Sequence, residues 1–183
     1  MRLLKKKFYF TEITFCILTI LVGTLLYFSY EWSNYNIYLA YIAPVNNSIW
    51  EHLKMLLFPV LLFSIIEYIM IGKCFSAFIP TRTIAFFSGV LFMIIFFYTY
   101  SGILGANHLL LDLIDLYLSV IIIYYLTWRQ AVDKRGGNVY ANIFCSCIMF
   151  FLVYIFITFT NNPPQMNLFR EIKPKLIQSM RTL

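Results

Sequence analysis

The chain has 183 residues, of which 61% are hydrophobic and 12% are charged. Soluble domains average about 45–50% apolar and about 25% charged residues, so this composition excludes an ordinary soluble fold. The net charge of +6 does not indicate a nucleic-acid partner, because the basic residues lie at the ends of apolar stretches, where they act as topology signals.

Five apolar stretches, separated by short loops, occupy most of the chain. A helix needs roughly 20 apolar residues to cross a hydrocarbon core about 30 Å thick, and backbone groups in lipid must be hydrogen-bonded within their own segment. We therefore predict an all-α integral membrane bundle of five transmembrane helices. The predicted spans are 8–28, 49–72, 82–100, 107–128 and 139–160, within a transmembrane domain of residues 1–164 that precedes a basic amphipathic tail, 165–183.

Local signals mark where these helices start, bend and stop. Ser48 and Glu51 have the spacing of a capping box at the start of the second span. Pro59 removes one backbone donor and is expected to kink that helix near Met55. The predicted breaks between the later spans are a turn at 101–105, a polar turn at 133–137 and the diproline 163–164.

The distribution of basic residues predicts a cytoplasmic N-terminus and an extracytoplasmic C-terminus. In this orientation the outer loops carry no Lys or Arg, apart from Lys54 just inside the second span. Five crossings place the basic tail outside, whereas a sixth crossing would place it inside. The basic residues assigned to the inner side are Arg2, Lys5, Lys6, Lys7, Lys73, Arg82, Arg129, Lys134 and Arg135.

Polar groups collect at the starts of the second and fourth spans, which share the outer side in this orientation. Ionisable groups within a membrane are costly and usually face the bundle interior or a cavity. His108 and Asp112 are four residues apart and share a helix face, which Asp115 extends. The candidate binding residues of this outer pocket are Asn46, Trp50, Glu51, His52, Lys54, His108, Asp112 and Asp115.

Three interpretations of the outer pocket are open. In the first it is a structural polar cluster, in which Glu51 caps its helix and Lys54 pairs with Asp112 or Asp115. In the second it binds a small molecule or an ion for transport.

In the third interpretation the pocket is a metal centre or a hydrolytic site. A His and an Asp one helical turn apart can both bind a divalent metal such as zinc, although the H-E-x-x-H pattern of zinc proteases is absent. Outside this alternative no cofactor is expected. The candidate metal ligands are His108, Asp112 and His52.

Glu12 and Glu67 form a second group of acidic residues, assigned to the inner side. If both are buried, we expect them to share a proton or to pair with a basic group, an arrangement that would suit proton coupling. The favoured interpretation is that each reaches the membrane surface, Glu12 toward the lysines at 5–7 and Glu67 toward Lys73.

Three segments together resemble an uncharacterised family of small bacterial multispan membrane proteins. Residues 44–54, PVNNSIWEHLK, are close to the family pattern P-V-N-E-S-x-W-E-H-x-K, with Asn47 in place of the usual Glu. Residues 98–105, YTYSGILG, and residues 159–164, FTNNPP, are looser matches. The resemblance implies a multi-pass protein of the bacterial cytoplasmic membrane without an assigned activity, and it adds no chemistry.

The sequence therefore predicts a multispan membrane protein of unknown activity. The leading specific hypothesis is a component that binds or transports a small molecule or an ion in the outer pocket. The alternatives are a membrane-embedded, metal-assisted hydrolase and a structural subunit of a membrane complex. The expected partners are the lipid bilayer, a small-molecule ligand, and a second membrane protein or another copy of the chain.

Overall fold

In the computed structural model, which describes residues 2–133 and 138–169, all regular structure is helical. The five long helices are α1 (Arg2–Trp32), α2 (Ile49–Met70), α3 (Phe78–Leu104), α4 (Leu109–Asp133) and α5 (Val139–Asn161). All five are long and apolar enough to cross a membrane, which confirms the predicted helical bundle. Most of the predicted tail and the turn residues 134–137 lie outside the described residues.

Three helices extend beyond their predicted limits, and α4 does so at its end, which is Asp133 rather than residue 128. α3 begins at Phe78 rather than at residue 82, and it continues through the predicted turn to Leu104, where Gly105 adopts a left-handed φ of 72°. A glycine can take this conformation without a steric cost, so it ends the helix there. α1 extends at both ends, from Arg2 to Trp32.

α2 lies at the centre of the bundle, with 56% of its apolar span buried, against 11% for α5. α3 packs most extensively on α4, and α1 packs on both α2 and α4. α5 contacts mainly α3 and lies at the edge of the bundle. Large apolar side chains on the outer faces, such as Leu91 and Phe144, are exposed, as expected of surfaces that contact lipid.

The backbone of α1 lies close to α2 at Met55, one helical turn before Pro59. Pro59 has no N–H, so the carbonyl of Met55 lacks its usual helical donor. Gly23 of α1 packs against this carbonyl so closely that a Cβ at Gly23 would lie 3.0 Å from Met55 O. The absence of a side chain on Gly23 therefore lets α1 approach α2 where the α2 ladder is interrupted.

Candidate functional site

The start of α2 is organised by its cap. Ser48 Oγ accepts a hydrogen bond from Glu51 N at 3.4 Å, as the capping-box pattern predicts. The reciprocal bond differs from the prediction, because Glu51 Oε2 accepts from Val45 N at 2.9 Å and Asn46 Oδ1 accepts from Ser48 N at 2.9 Å. The carboxylate of Glu51 thus binds the preceding loop to the helix.

Lys54 is completely buried and pairs with Glu51. Its Nζ donates to Glu51 Oε2 at 2.7 Å and to the carbonyl of Ala40 at 2.9 Å. The prediction that Lys54 pairs with Asp112 or Asp115 is therefore wrong. Glu51 lies three residues earlier on the same helix, within easy reach of the ammonium group, whereas Asp112 faces the neighbouring His52.

His52, Asp112 and Tyr100 join α2, α4 and α3 in a buried polar network. His52 Nδ1 lies 2.9 Å from the carbonyl of Ser48, and Nε2 lies 3.5 Å from Asp112 Oδ2. Tyr100 donates its hydroxyl proton to the other oxygen of Asp112. The imidazole ring lies near the rings of Tyr27 and Phe97, which limit its access to water.

Asp115 lies one turn further along α4 and is also buried, with 2% of its surface exposed. Ser119 Oγ lies 3.5 Å from Asp115 Oδ1, at the limit of a hydrogen bond. Together with His52, Tyr100 and Asp112, this carboxyl group extends a polar layer into the bundle, which we call the His52 layer. Tyr100 was not among the residues predicted for this pocket, although it lies within the 98–105 segment that resembles the family pattern.

The starts of α2 and α4 adjoin, but His108 does not join the network. Asn107 Nδ2 donates to the carbonyl of Asn47 at 2.6 Å and connects the two helix starts. His108 is exposed, although it lies one turn before Asp112. Of the predicted metal ligands, only His52 and Asp112 come together. Within residues 2–133 and 138–169, no group of three His, Cys, Asp or Glu side chains is placed to hold a metal ion.

Trp50 lies on the opposite side of α2 and packs against α5. Its ring stacks on Phe156, with centroids 4.1 Å apart and planes at 12°, and also contacts Phe169. Beside it is a small cavity of about 100 Å³ lined by Asn46, Ser48, Glu51, Thr160, Pro163 and neighbouring apolar side chains. The 44–54 and 159–164 segments therefore meet around one cavity.

A second buried network, which we call the Arg82 layer, lies near the other end of the bundle. Arg82 Nη2 donates to Glu12 Oε2 at 2.9 Å and to Glu67 Oε2 at 2.5 Å. The ring of Tyr124 lies 4.3 Å from the guanidinium carbon, and the Tyr124 hydroxyl is 2.7 Å from Thr19 Oγ1. α1, α2, α3 and α4 all contribute to this layer.

The Arg82 layer corrects two expectations. Glu12 and Glu67 do not extend toward the lysines at 5–7 and Lys73. Both are bound instead to one buried arginine. Arg82 is also not a loop charge that orients the chain, since it lies inside α3 with 3% of its surface exposed. Arg82 was predicted to lie at the edge of the third span, so its pairing with both carboxylates was not expected from the sequence.

Comparisons with known proteins give a family but no activity. A family model described as a family of unknown function, DUF6512, matches residues 2–175. Searches of curated proteins and of solved structures found no match.

Proposed function

The chain belongs to DUF6512, a family of unknown function, and we propose that it is a multi-pass membrane component that binds a proton or a small monovalent cation in the His52 layer. This binding would accompany the capture or transport of a small molecule. In the proposed orientation, with the N-terminus in the cytoplasm, the His52 layer faces the extracytoplasmic side.

The observation that carries the proposal is an excess of buried acid. Among the described residues, the buried carboxyl groups are five and the buried, permanently cationic side chains are two, Lys54 and Arg82. Lys54 is bound to Glu51, and Arg82 to Glu12 and Glu67, so no permanent counter-charge within residues 2–133 and 138–169 is bound to Asp112 or Asp115. A buried charge without a partner is very costly, so a proton or a bound cation is expected at these two residues.

The hydrogen bonds around His52 support the proposal of a proton beside Asp112. A carbonyl oxygen only accepts, so His52 Nδ1 must donate to the carbonyl of Ser48. Nε2 then faces Asp112 Oδ2 at 3.5 Å. Two acceptors would repel one another at this position, so a proton on either His52 or Asp112 stabilises the pair.

Infrared spectroscopy of the purified protein in detergent tests proton binding directly. We expect a carbonyl stretching band from a protonated carboxyl group at neutral pH, and its reduction in Asp112→Asn or Asp115→Asn. Glu31→Gln is the matched control, because Glu31 is exposed at the end of α1, and the band should remain.

Thermal unfolding with sodium or potassium, at ionic strength held constant with choline, tests cation binding. A cation that binds only the folded protein raises stability by about 2.7 kcal/mol at one hundred times its Kd. Absence of both the infrared band and any ion-specific stabilisation would refute the proposal. Stoichiometric zinc lost in His52→Ala would favour the hydrolase alternative instead.

A further inference from the structure

A cavity of about 220 Å³ lies between α2, α3 and α5, on the side of the Arg82 layer that faces α5. Most of its wall is apolar, including Leu61, Phe78 and Met149. Arg82 and Ser64, whose side chains carry hydrogen-bond donors, line the same cavity. The cavity is distinct from the His52 layer, which none of these residues joins.

The donors at this cavity are buried and unsatisfied within the described part of the chain. Arg82 Nε and Nη1 and Ser64 Oγ have no hydrogen-bond partner there, although Arg82 is 3% exposed. A buried donor without a hydrogen-bond partner is unfavourable, because it has lost its hydrogen bonds to water. A ligand that brings an acceptor oxygen to Arg82 and Ser64 would therefore be bound favourably.

The rim of the cavity connects it with the lipid-facing surface. Ile65 of α2 and Phe150 of α5 line the cavity and are 47% and 65% exposed. Both helices are candidate membrane spans, so a molecule dissolved in the bilayer can reach the cavity sideways. Ser64 lies six residues from the end of α2, or about 9 Å along its axis, and therefore well within this candidate membrane span.

Charge and size restrict the ligand. Arg82 already has two carboxylates as partners, so an anionic ligand would increase the excess of negative charge, whereas a neutral carbonyl oxygen would not. The volume is below the roughly 300–1,000 Å³ of pockets that enclose drug-sized ligands. We propose that the cavity binds the neutral carbonyl-bearing end of an apolar, membrane-dissolved molecule, whose remainder stays in the lipid.

A carbonyl of this kind has two sources, a quinone ring or the ester group of a diacyl lipid. The test uses the full chain in nanodiscs of diether phosphatidylcholine, which has no ester carbonyl. We expect either added decylubiquinone or replacement by diester phosphatidylcholine to raise the unfolding temperature of the unmutated protein. The probe that acts identifies the source.

Ser64→Leu fills the cavity without changing the Arg82 ion pairs and should abolish the stabilisation. Ser88→Leu is the matched control, because Ser88 lies on α3 outside the cavity lining, and it should retain the stabilisation. Ser64→Ala removes only the hydroxyl and should weaken the affinity for the active probe several-fold, which provides a readout if Ser64→Leu does not fold.

Three results would overturn the inference: no stabilisation by either probe, equal stabilisation in all three variants, or stabilisation by palmitate but not by the neutral probes. The inference does not depend on ion binding in the His52 layer. Asp115→Asn should leave the response to the active probe unchanged, so the two proposals succeed or fail separately.

Discussion

Arg82 places a permanent positive charge inside the helical bundle and holds the two carboxylates that oppose it. Its Nη2 contacts both Glu12 and Glu67, and the face of Tyr124 covers the guanidinium group. Aromatic faces attract cations electrostatically, more strongly where water is excluded. The arginine therefore has partners on three other helices.

Removal of Arg82 should destabilise the protein more than removal of an exposed arginine. Arg82→Leu leaves two buried carboxylates uncompensated, and loss of one partner from a buried ion pair costs about 3–5 kcal/mol. Arg129→Leu is the control, because Arg129 is exposed near the end of α4. Thermal unfolding followed by circular dichroism measures both variants.

The same experiment includes a compensating variant. Adding Glu12→Gln and Glu67→Gln to Arg82→Leu removes the uncompensated charge and should restore much of the lost stability. If Arg82→Leu were no less stable than Arg129→Leu, the three side chains would not act as a buried ion network.

The residues of both layers were only partly predictable from the sequence. Glutamates within apolar stretches are recognisable as costly, but Glu12 and Arg82 are 70 residues apart, and no local pattern connects them. Lys54 and Glu51 are only three residues apart, yet the sequence did not favour this pair over a pair of Lys54 with Asp112. A side chain's partner depends on helix rotation and packing, which apolar periodicity leaves undetermined.

At the scale of the helices, glycines mark the closest approaches. A Cβ at Gly89 of α3 would lie 2.6 Å from Ile123 Cγ1 and 3.1 Å from Ser119 O of α4. This contact lies in the most extensive helix pair of the bundle. The number of helices was predictable from their length and apolarity. The start of α3 at Phe78 was not, because Ala77 before it provides no side-chain cap, and its end at Leu104 depends on the left-handed conformation of Gly105.

Two Gly→Ala substitutions in α3 should have opposite effects. Gly89→Ala forces α3 and α4 apart or displaces Ile123, and overpacking of this kind costs about 1–3 kcal/mol. Gly102→Ala meets nothing within 4 Å, and the better helix former should be neutral or stabilising by about 0.5–1 kcal/mol. Equal unfolding temperatures for the two variants would contradict the close packing.

At the scale of the whole molecule, the two polar layers lie toward opposite ends of α2, with His52 near its start and Glu67 near its end. Fifteen residues separate His52 from Glu67, or about 22 Å of helix. The two layers are therefore separate sites that face opposite membrane surfaces. The orientation of the bundle determines which of the two layers lies nearer the cytoplasm.

Labelling with a membrane-impermeant maleimide tests the orientation. Cys74 is exposed in the 3₁₀ turn Gly72–Cys74 between α2 and α3. With a cytoplasmic N-terminus, Cys74 should react in inside-out vesicles but not in intact cells, and Cys74→Ser should remove this signal. Tyr38→Cys in the Cys74→Ser background should react in intact cells. The reverse pattern would invert the proposed topology.

The arrangement around Arg82 has a consequence for biogenesis. Synthesis proceeds from the N-terminus, so Glu12 and Glu67 leave the ribosome before the arginine that neutralises them. Until α3 follows, the first two helices carry acidic groups without their counter-ion, and stable integration of either helix is disfavoured. We therefore expect the first three helices to be most stable in the lipid as a neutralised unit, once α3 has been synthesised.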